Sequence, residues 1–191
     1  MRCSTLPNEF WIAGAGSGKT QKVIEDAIEV IKAGGRVLVV TYTMNNQAEL
    51  RSRFVELYGK HSDDFVVKGL FSFYLEDLVR PYQTAMFPER ITSTMFTEHN
   101  PHLIPGTRKW HPKRGEKING ALNPLHYLTP CKTKAYTGLL AKLATRISAS
   151  TKNAPASRLK EIYQRIFFDE VQDLVGWDFD VIKALSKAMH N

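Results

Sequence analysis

The stretch Ala13-Gly14-Ala15-Gly16-Ser17-Gly18-Lys19-Thr20 decides how the rest of the chain is read. A short apolar run, Phe10-Trp11-Ile12-Ala13, leads into it, and an amphipathic segment from Gln21 to Ala33 follows. Strand, glycine-rich turn and helix in that order let backbone N–H groups wrap a phosphate chain. Gly14, Gly16 and Gly18 let the turn close tightly and approach the phosphates with no Cβ in the way. On this pattern residues 13–20 bind a nucleoside triphosphate. Lys19 reaches the β- and γ-phosphates, and Thr20 places its hydroxyl on Mg²⁺. Ala13 stands where the strict pattern has glycine, but the phosphate-facing positions are intact.

Working outward, Val23, Ile24, Ala27, Ile28 and Ile31 recur at helical spacing and make a core-facing stripe, which Gly34-Gly35 ends. Arg36 to Thr41 is a continuous apolar run between turn signals. Such a run predicts a strand buried on both faces, and so a parallel sheet. A second helix is expected over Asn45 to Tyr58 and a third strand over Phe65 to Gly69. An apolar helix-like stretch then runs to Arg80 and stops at Pro81. After a short helix from Ser157 to Gln164, Arg165 to Asp169 reads as a further strand, and it runs into Asp169-Glu170-Val171-Gln172-Asp173. An apolar strand ending in two acids is the second half that a phosphate-binding loop needs. Asp169 can hold Mg²⁺, and Glu170 can orient or deprotonate the attacking water. A last helix is expected over Asp178 to Met189, with Asp178 as its N-cap.

Composition bounds the rest. With 191 residues the chain is one domain, or one plus a subdomain. The net charge of +7 points to an anionic partner, most often nucleic acid. That charge is concentrated between Pro81 and Pro155, where eleven Lys or Arg face three acids, a balance of +8. Prolines are frequent there, strand patterns are weak, and only Tyr136 to Ile147 reads as a helix. Residues 81–155 are therefore expected to be a basic, mostly helical or looped insertion in an α/β core formed by residues 1–80 and 156–191. Its basic side chains, Lys113 and Arg114 among them, are expected along single-stranded DNA. His99, His102, His111, His126 and Cys131 also lie in this stretch, at spacings that fit no zinc pattern. Two cysteines, Cys3 and Cys131, make no disulfide framework. Asn8 and Glu9 interrupt any signal-peptide core, and no segment has the length of a membrane span. The compositional expectation is a cytoplasmic protein.

With both halves of the phosphate site read, the chain resembles the first RecA-like core domain of a superfamily 1 DNA helicase of the UvrD/Rep type. Residues 9–80 and 157–190 carry the resemblance; residues 81–155 share it by position, since that family has a DNA-contacting insertion there. The 13–20 stretch is similar to the family's first motif and Asp169 to Asp173 to its DExQD box. Val39 to Arg53 is similar to a motif whose aromatic and threonine side chains lie along single-stranded DNA. The resemblance implies a P-loop, RecA-like parallel sheet flanked by helices, with ATP and Mg²⁺ as cofactors. It implies an ATPase or helicase in which Lys19, Glu170 and Gln172 are catalytic, Gln172 coupling the γ-phosphate to the DNA side. Thr20 and Asp169 hold Mg²⁺, and Thr41, Tyr42, Thr43 and Arg53 contact DNA. Val67 to Arg80 is similar to a GTFHS-type motif through Gly69 and Phe71, with Leu70 and Ser72 in place of Thr and His.

The family's adenine-reading glutamine has no counterpart, since no Gln precedes Gln21, so poor discrimination between ATP and GTP is expected. The sequence ends at Asn191, ahead of the GDxxQ motif and the second RecA-like domain with its arginine fingers. Those parts are expected from elsewhere, and without them the chain is expected to be nearly inactive. A central strand between residues 9–13 and 165–169 is then also expected to be missing, leaving the two about 10 Å apart with no ladder between them. Two rival readings remain open. One is a P-loop kinase of a small metabolite, which would show ladder bonds between Ile12 and Phe167. The other is a non-catalytic nucleotide- or DNA-binding remnant.

Overall fold

The computed structural model describes residues 18–190. Residues 13–17 of the phosphate loop lie outside the described residues, as do the expected strand at 9–13 and its spacing from 165–169. The chain divides into two compact units. One runs to Phe73 and resumes at Ala156; the other is Tyr74–Pro155.

The first unit is built on a three-stranded parallel sheet. β1 (Val37–Thr41) lies between β2 (Phe65–Gly69) and β7 (Arg165–Phe168). Val37 faces Phe65 on one side and Arg165 on the other, and both ladders are parallel. All five β1 residues are buried, as a run without polar alternation requires when both faces are covered. α1 (Lys19–Lys32) and α2 (Met44–Tyr58) pack on one face. Val23, Ile24, Ala27, Ile28 and Ile31 of α1 join Leu50 and Phe54 of α2 over Val37, Val39, Phe65 and Val67. Each fully buried side chain of this size contributes about 1.5–3 kcal/mol. Phe54 stacks flat on Phe65, with centroids 4.0 Å apart. Gly34, at φ 83°, ends α1: its N–H returns to the Ile31 carbonyl, and the Gly35 N–H returns to Val30. α3 (Leu70–Phe73) follows β2 directly, and Phe73 meets Phe168 edge-on at 5.8 Å.

α6 (Ala154–Ile162) leads into β7, and α7 (Trp177–His190) closes the unit. α7 begins one residue before the expected N-cap. Asp178 is therefore inside its first turn, and its Oδ2 accepts from the N–H of Val175 at 2.9 Å.

The second unit opens with a π-helical turn, Tyr74–Val79, against which α5 (Leu140–Ser150) packs. Tyr74, Leu78, Val79, Leu140, Leu143 and Ile147 form its apolar centre, each at most 2 % exposed. The helix expected over Tyr136 to Ile147 starts later. Residues Lys134–Tyr136 form β6, paired in parallel with β3 (Ser93–Met95), and a 3₁₀ turn at Thr137–Leu139 precedes α5. Tyr136 is held opposite Met95, so its backbone is extended and cannot join the helix. A small hairpin pairs β4 (Lys117–Ile118) with β5 (Ala121–Leu122), and α4 (Pro124–Tyr127) follows. The insertion thus contains short strands that the weak alternation of its sequence did not announce.

Candidate nucleotide and metal site

The C-terminal ends of β1 and β7 and the N-terminus of α1 carry the candidate chemistry. Gly18 precedes α1 at φ 79°, a left-handed conformation that a residue with a Cβ adopts only under strain. Its carbonyl accepts the N–H of Lys22 at 3.0 Å, so the helix is fully wound from its first turn. No acidic side chain lies in that turn, which leaves the positive end of the helix to an anion. Lys19 and Thr20 are half-buried beside it.

Asp169 follows β7 and continues its ladder, its N–H donating to the Val40 carbonyl at 2.9 Å. Burial, and then the neighbouring charge of Glu170, push its carboxyl above the usual aspartate value. The hydroxyl of Thr41 and the positive charge of Lys19 pull in the other direction. The fit to Mg²⁺ rests on this donor set: a half-buried carboxylate whose ionised form a cation would stabilise, with a threonine hydroxyl at the start of α1.

Glu170 is the one residue of the acidic pair in a left-handed conformation, at φ 56° and ψ 46°. Such a backbone in a non-glycine residue costs on the order of 1 kcal/mol or more and turns the side chain away from the path of the strand. A 3₁₀ turn, Val171–Asp173, is closed by the Asp173 N–H on the Glu170 carbonyl at 3.0 Å. Gln172 Nε2 donates to Glu170 Oε2, so two of the three residues expected to be catalytic are in contact. Thr41, Tyr42, Leu70, Phe168, Asp169 and Glu170 line a shallow depression at this end of the sheet.

The residues expected along DNA have distinct surroundings. Tyr42 is 45 % exposed and meets Phe71 edge-on at 5.8 Å. Thr43 caps α2, its hydroxyl accepting the N–H of Asn46 at 3.1 Å. Arg53 is exposed on α2 and pairs with Glu49 at 2.8 Å. Thr41 is buried, with its hydroxyl directed at Asp169. In the second unit Lys113 is exposed. Arg114, in contrast, spends Nη1 on the carbonyls of Leu125 and Leu128 and on the Tyr136 hydroxyl, at 2.9, 3.2 and 2.9 Å.

Sequence reasoning passed over Asp26. It is 6 % exposed, pairs with Lys22 at 2.7 Å, and approaches Arg165 of β7 at 3.5 Å. The signal was present: an acid set among Val23, Ile24, Ala27 and Ile28 on the apolar stripe needs a cation from a neighbouring element.

Residues 5–108 match the family model described as UvrD/REP helicase N-terminal domain. The chain belongs to this family. It is therefore a member of a helicase motor family whose fold is of the P-loop, RecA-like kind and whose members generally use ATP, Mg²⁺ and DNA. The match takes in Lys19 and Thr20, β1 with Tyr42, and Arg53, but stops before the acidic strand end at Asp169. No curated protein and no solved structure matches the chain. Among the described residues no helix is long and apolar enough to cross a membrane.

Proposed function

We propose that the chain is the ATP-binding part of a DNA translocase motor, in which ATP hydrolysis drives movement on single-stranded DNA. The observation that carries this reading is Asp169, which follows β7 at the end of the sheet and accepts from the hydroxyl of Thr41, the residue next to the exposed Tyr42. Nucleotide chemistry and an aromatic platform suited to stacking a base share one end of one sheet. In this reading residues 13–20 bind the triphosphate, Lys19 neutralising its β/γ end, and Thr20 and Asp169 hold Mg²⁺. The metal, when bound, supplies charge neutralisation on the phosphates. Glu170, turned out of the strand, orients the attacking water and takes its proton, and Gln172 holds the Glu170 carboxylate in place. Tyr42, Thr43 and Arg53 of the first unit contact the DNA, and Lys113 is a candidate DNA contact of the second unit by itself. The RecA-like core in this reading is the unit that runs to Phe73 and resumes at Ala156, and the insertion begins at Tyr74, seven residues earlier than the sequence suggests.

Calorimetry of the 191-residue chain with Mg²⁺ and ATP tests the site. Lys19→Ala should remove most of the affinity, and unchanged affinity would sink the reading.

A further inference from the structure

Thr41 closes β1 with 1 % of its surface exposed, although the next residue, Tyr42, is 45 % exposed. A hydroxyl buried that deeply needs a partner. Its partner is Asp169, whose Oδ2 accepts from Thr41 Oγ1 at 3.4 Å. Both ends of this contact are fixed by backbone. Val40 faces Phe168 across the parallel ladder, and the Asp169 N–H donates to the Val40 carbonyl at 2.9 Å. The hydroxyl therefore reaches the carboxylate from a rigid strand and not from a loop. An ionised carboxylate has about four acceptor positions on its two oxygens, so one bond from Thr41 orients the group and leaves capacity for a cation.

We infer that Thr41 is a positioning residue for Asp169, acting inward on the metal-holding carboxylate and not outward as a DNA contact. The inference rests on the reading of Asp169 as the acid that holds Mg²⁺. Hydrogen bonds to metal-ligating carboxylates typically carry about 10–100-fold in metal affinity, and the length of this one places it at the lower end. Thr41→Val keeps the shape and removes the hydroxyl, and Thr41→Ser keeps the hydroxyl.

The experiment is calorimetry of the full chain with the slowly hydrolysed analogue ATPγS, with Mg²⁺ and then with excess EDTA, alongside single-stranded DNA binding at low salt. Thr41→Val should lower the gain in affinity that Mg²⁺ gives by about tenfold. It should leave metal-free nucleotide binding and DNA binding unchanged, and Thr41→Ser should restore the gain. Asp169→Asn should abolish the gain altogether. If Asp169→Asn leaves the gain intact, the Mg²⁺ reading of Asp169 fails and the inference falls with it. If Asp169→Asn abolishes the gain but Thr41→Val does not lower it, the inference about Thr41 alone fails. A loss of DNA binding in Thr41→Val with the Mg²⁺ gain intact, or equal losses with and without Mg²⁺, would also overturn it.

Discussion

The two units of this chain are held together by different means. The first is a layered apolar core, with β1 buried along its whole length and α1 and α2 laid over it. The second has a smaller apolar centre and, beside it, a polar network around Glu116. The Glu116 carboxylate takes Lys142 at 2.9 Å, Arg146 at 2.8 Å and the Tyr127 hydroxyl at 2.7 Å. The His126 ring is fixed from both sides: Nδ1–H donates to the Arg114 carbonyl at 2.9 Å, and Nε2 accepts from Lys142 at 3.1 Å. His102 stacks on it at 4.1 Å and donates to the His126 carbonyl. The basic stretch is thus not simply a solvated cationic surface; part of its charge is structural. Apolar layers tolerate polar change outside them, whereas a connected polar network fails when one member is lost.

The largest effect should come from opening the apolar core. Phe54→Ala removes a ring that is 2 % exposed and stacked on Phe65. Large-to-small changes of this kind cost about 3–5 kcal/mol. Hydrogen exchange should show lost protection in α1, α2 and β1, with α5 keeping its own. Uniform loss across both units would show that they do not unfold separately.

Glu116→Gln is the matching cut in the second unit. It keeps the volume but leaves Lys142 and Arg146 without their carboxylate, at side-chain exposures of 15 % and 40 %. The partial exposure discounts a fully buried pair, so the expected loss is about 1–3 kcal/mol. It should be confined to α4, α5 and the 111–123 region, read by the same exchange measurement. A loss of protection in β1 of similar size would contradict the division.

Acid should separate the units by sign. Burial works against the Glu116 charge, but the bonds from Lys142, Tyr127 and Arg146 outweigh it and hold its carboxyl at about 2 against an ordinary 4.5. Its contribution is complete above pH 4.5 and is lost from there toward 2. Burial also pushes His126 below its ordinary 6.5, so an unfolded second unit takes up that proton first and stability falls as pH drops below 6.5. Asp169 in the first unit runs the other way. Its raised pKa gives a contribution that is present below the ordinary 3.8 and lost as pH rises through the folded value. Between pH 7 and 4, exchange corrected for intrinsic rates should show α5 weakening first. Parallel weakening of both units would remove the distinction.

The same contrast explains what could be read in advance. α1, β1, α2 and β2 were legible because burial on one face or both writes its period into the sequence, in Val23 to Ile31 and in Val37 to Val40. Lys19, Asp169 and Glu170 could be nominated from the sequence because phosphate chemistry asks for fixed residue types at fixed spacings; the structure shows their placement at the ends of α1 and β7. The second unit gave less. β3 and β6 are three residues each, too short to show a period, and they pair across 38 intervening positions. Arg114 counted as a surface cation in the sequence, since composition does not say which arginines face inward. The left-handed turn at Glu170 had no sequence signal, because it is imposed by the surrounding strand end and the 171–173 turn.

The smallest stability change should come with the most informative binding change. Arg53 and Glu49 are about half exposed, at 46 % and 50 %, and form an i,i+4 pair. Such pairs contribute about 0.3–0.5 kcal/mol, so Arg53→Ala should leave the thermal midpoint almost unmoved. Lys113→Glu should be similarly mild, because that side chain is exposed. Arg114→Glu should not be mild, because its guanidinium holds Leu125, Leu128 and Tyr136 together. The salt dependence of single-stranded DNA binding then separates the two kinds of cation. Each lost phosphate contact should lower the slope of log K against log salt by about 0.7 for a single strand. If Arg53→Ala and Lys113→Glu each flatten the slope by about that amount at unchanged stability, each unit contributes its own phosphate contact. If only Arg53→Ala does so, the DNA contact belongs to the apolar-cored unit, and the charge of the insertion serves its own fold. If neither variant changes the slope, the basic balance of the chain has no part in DNA binding.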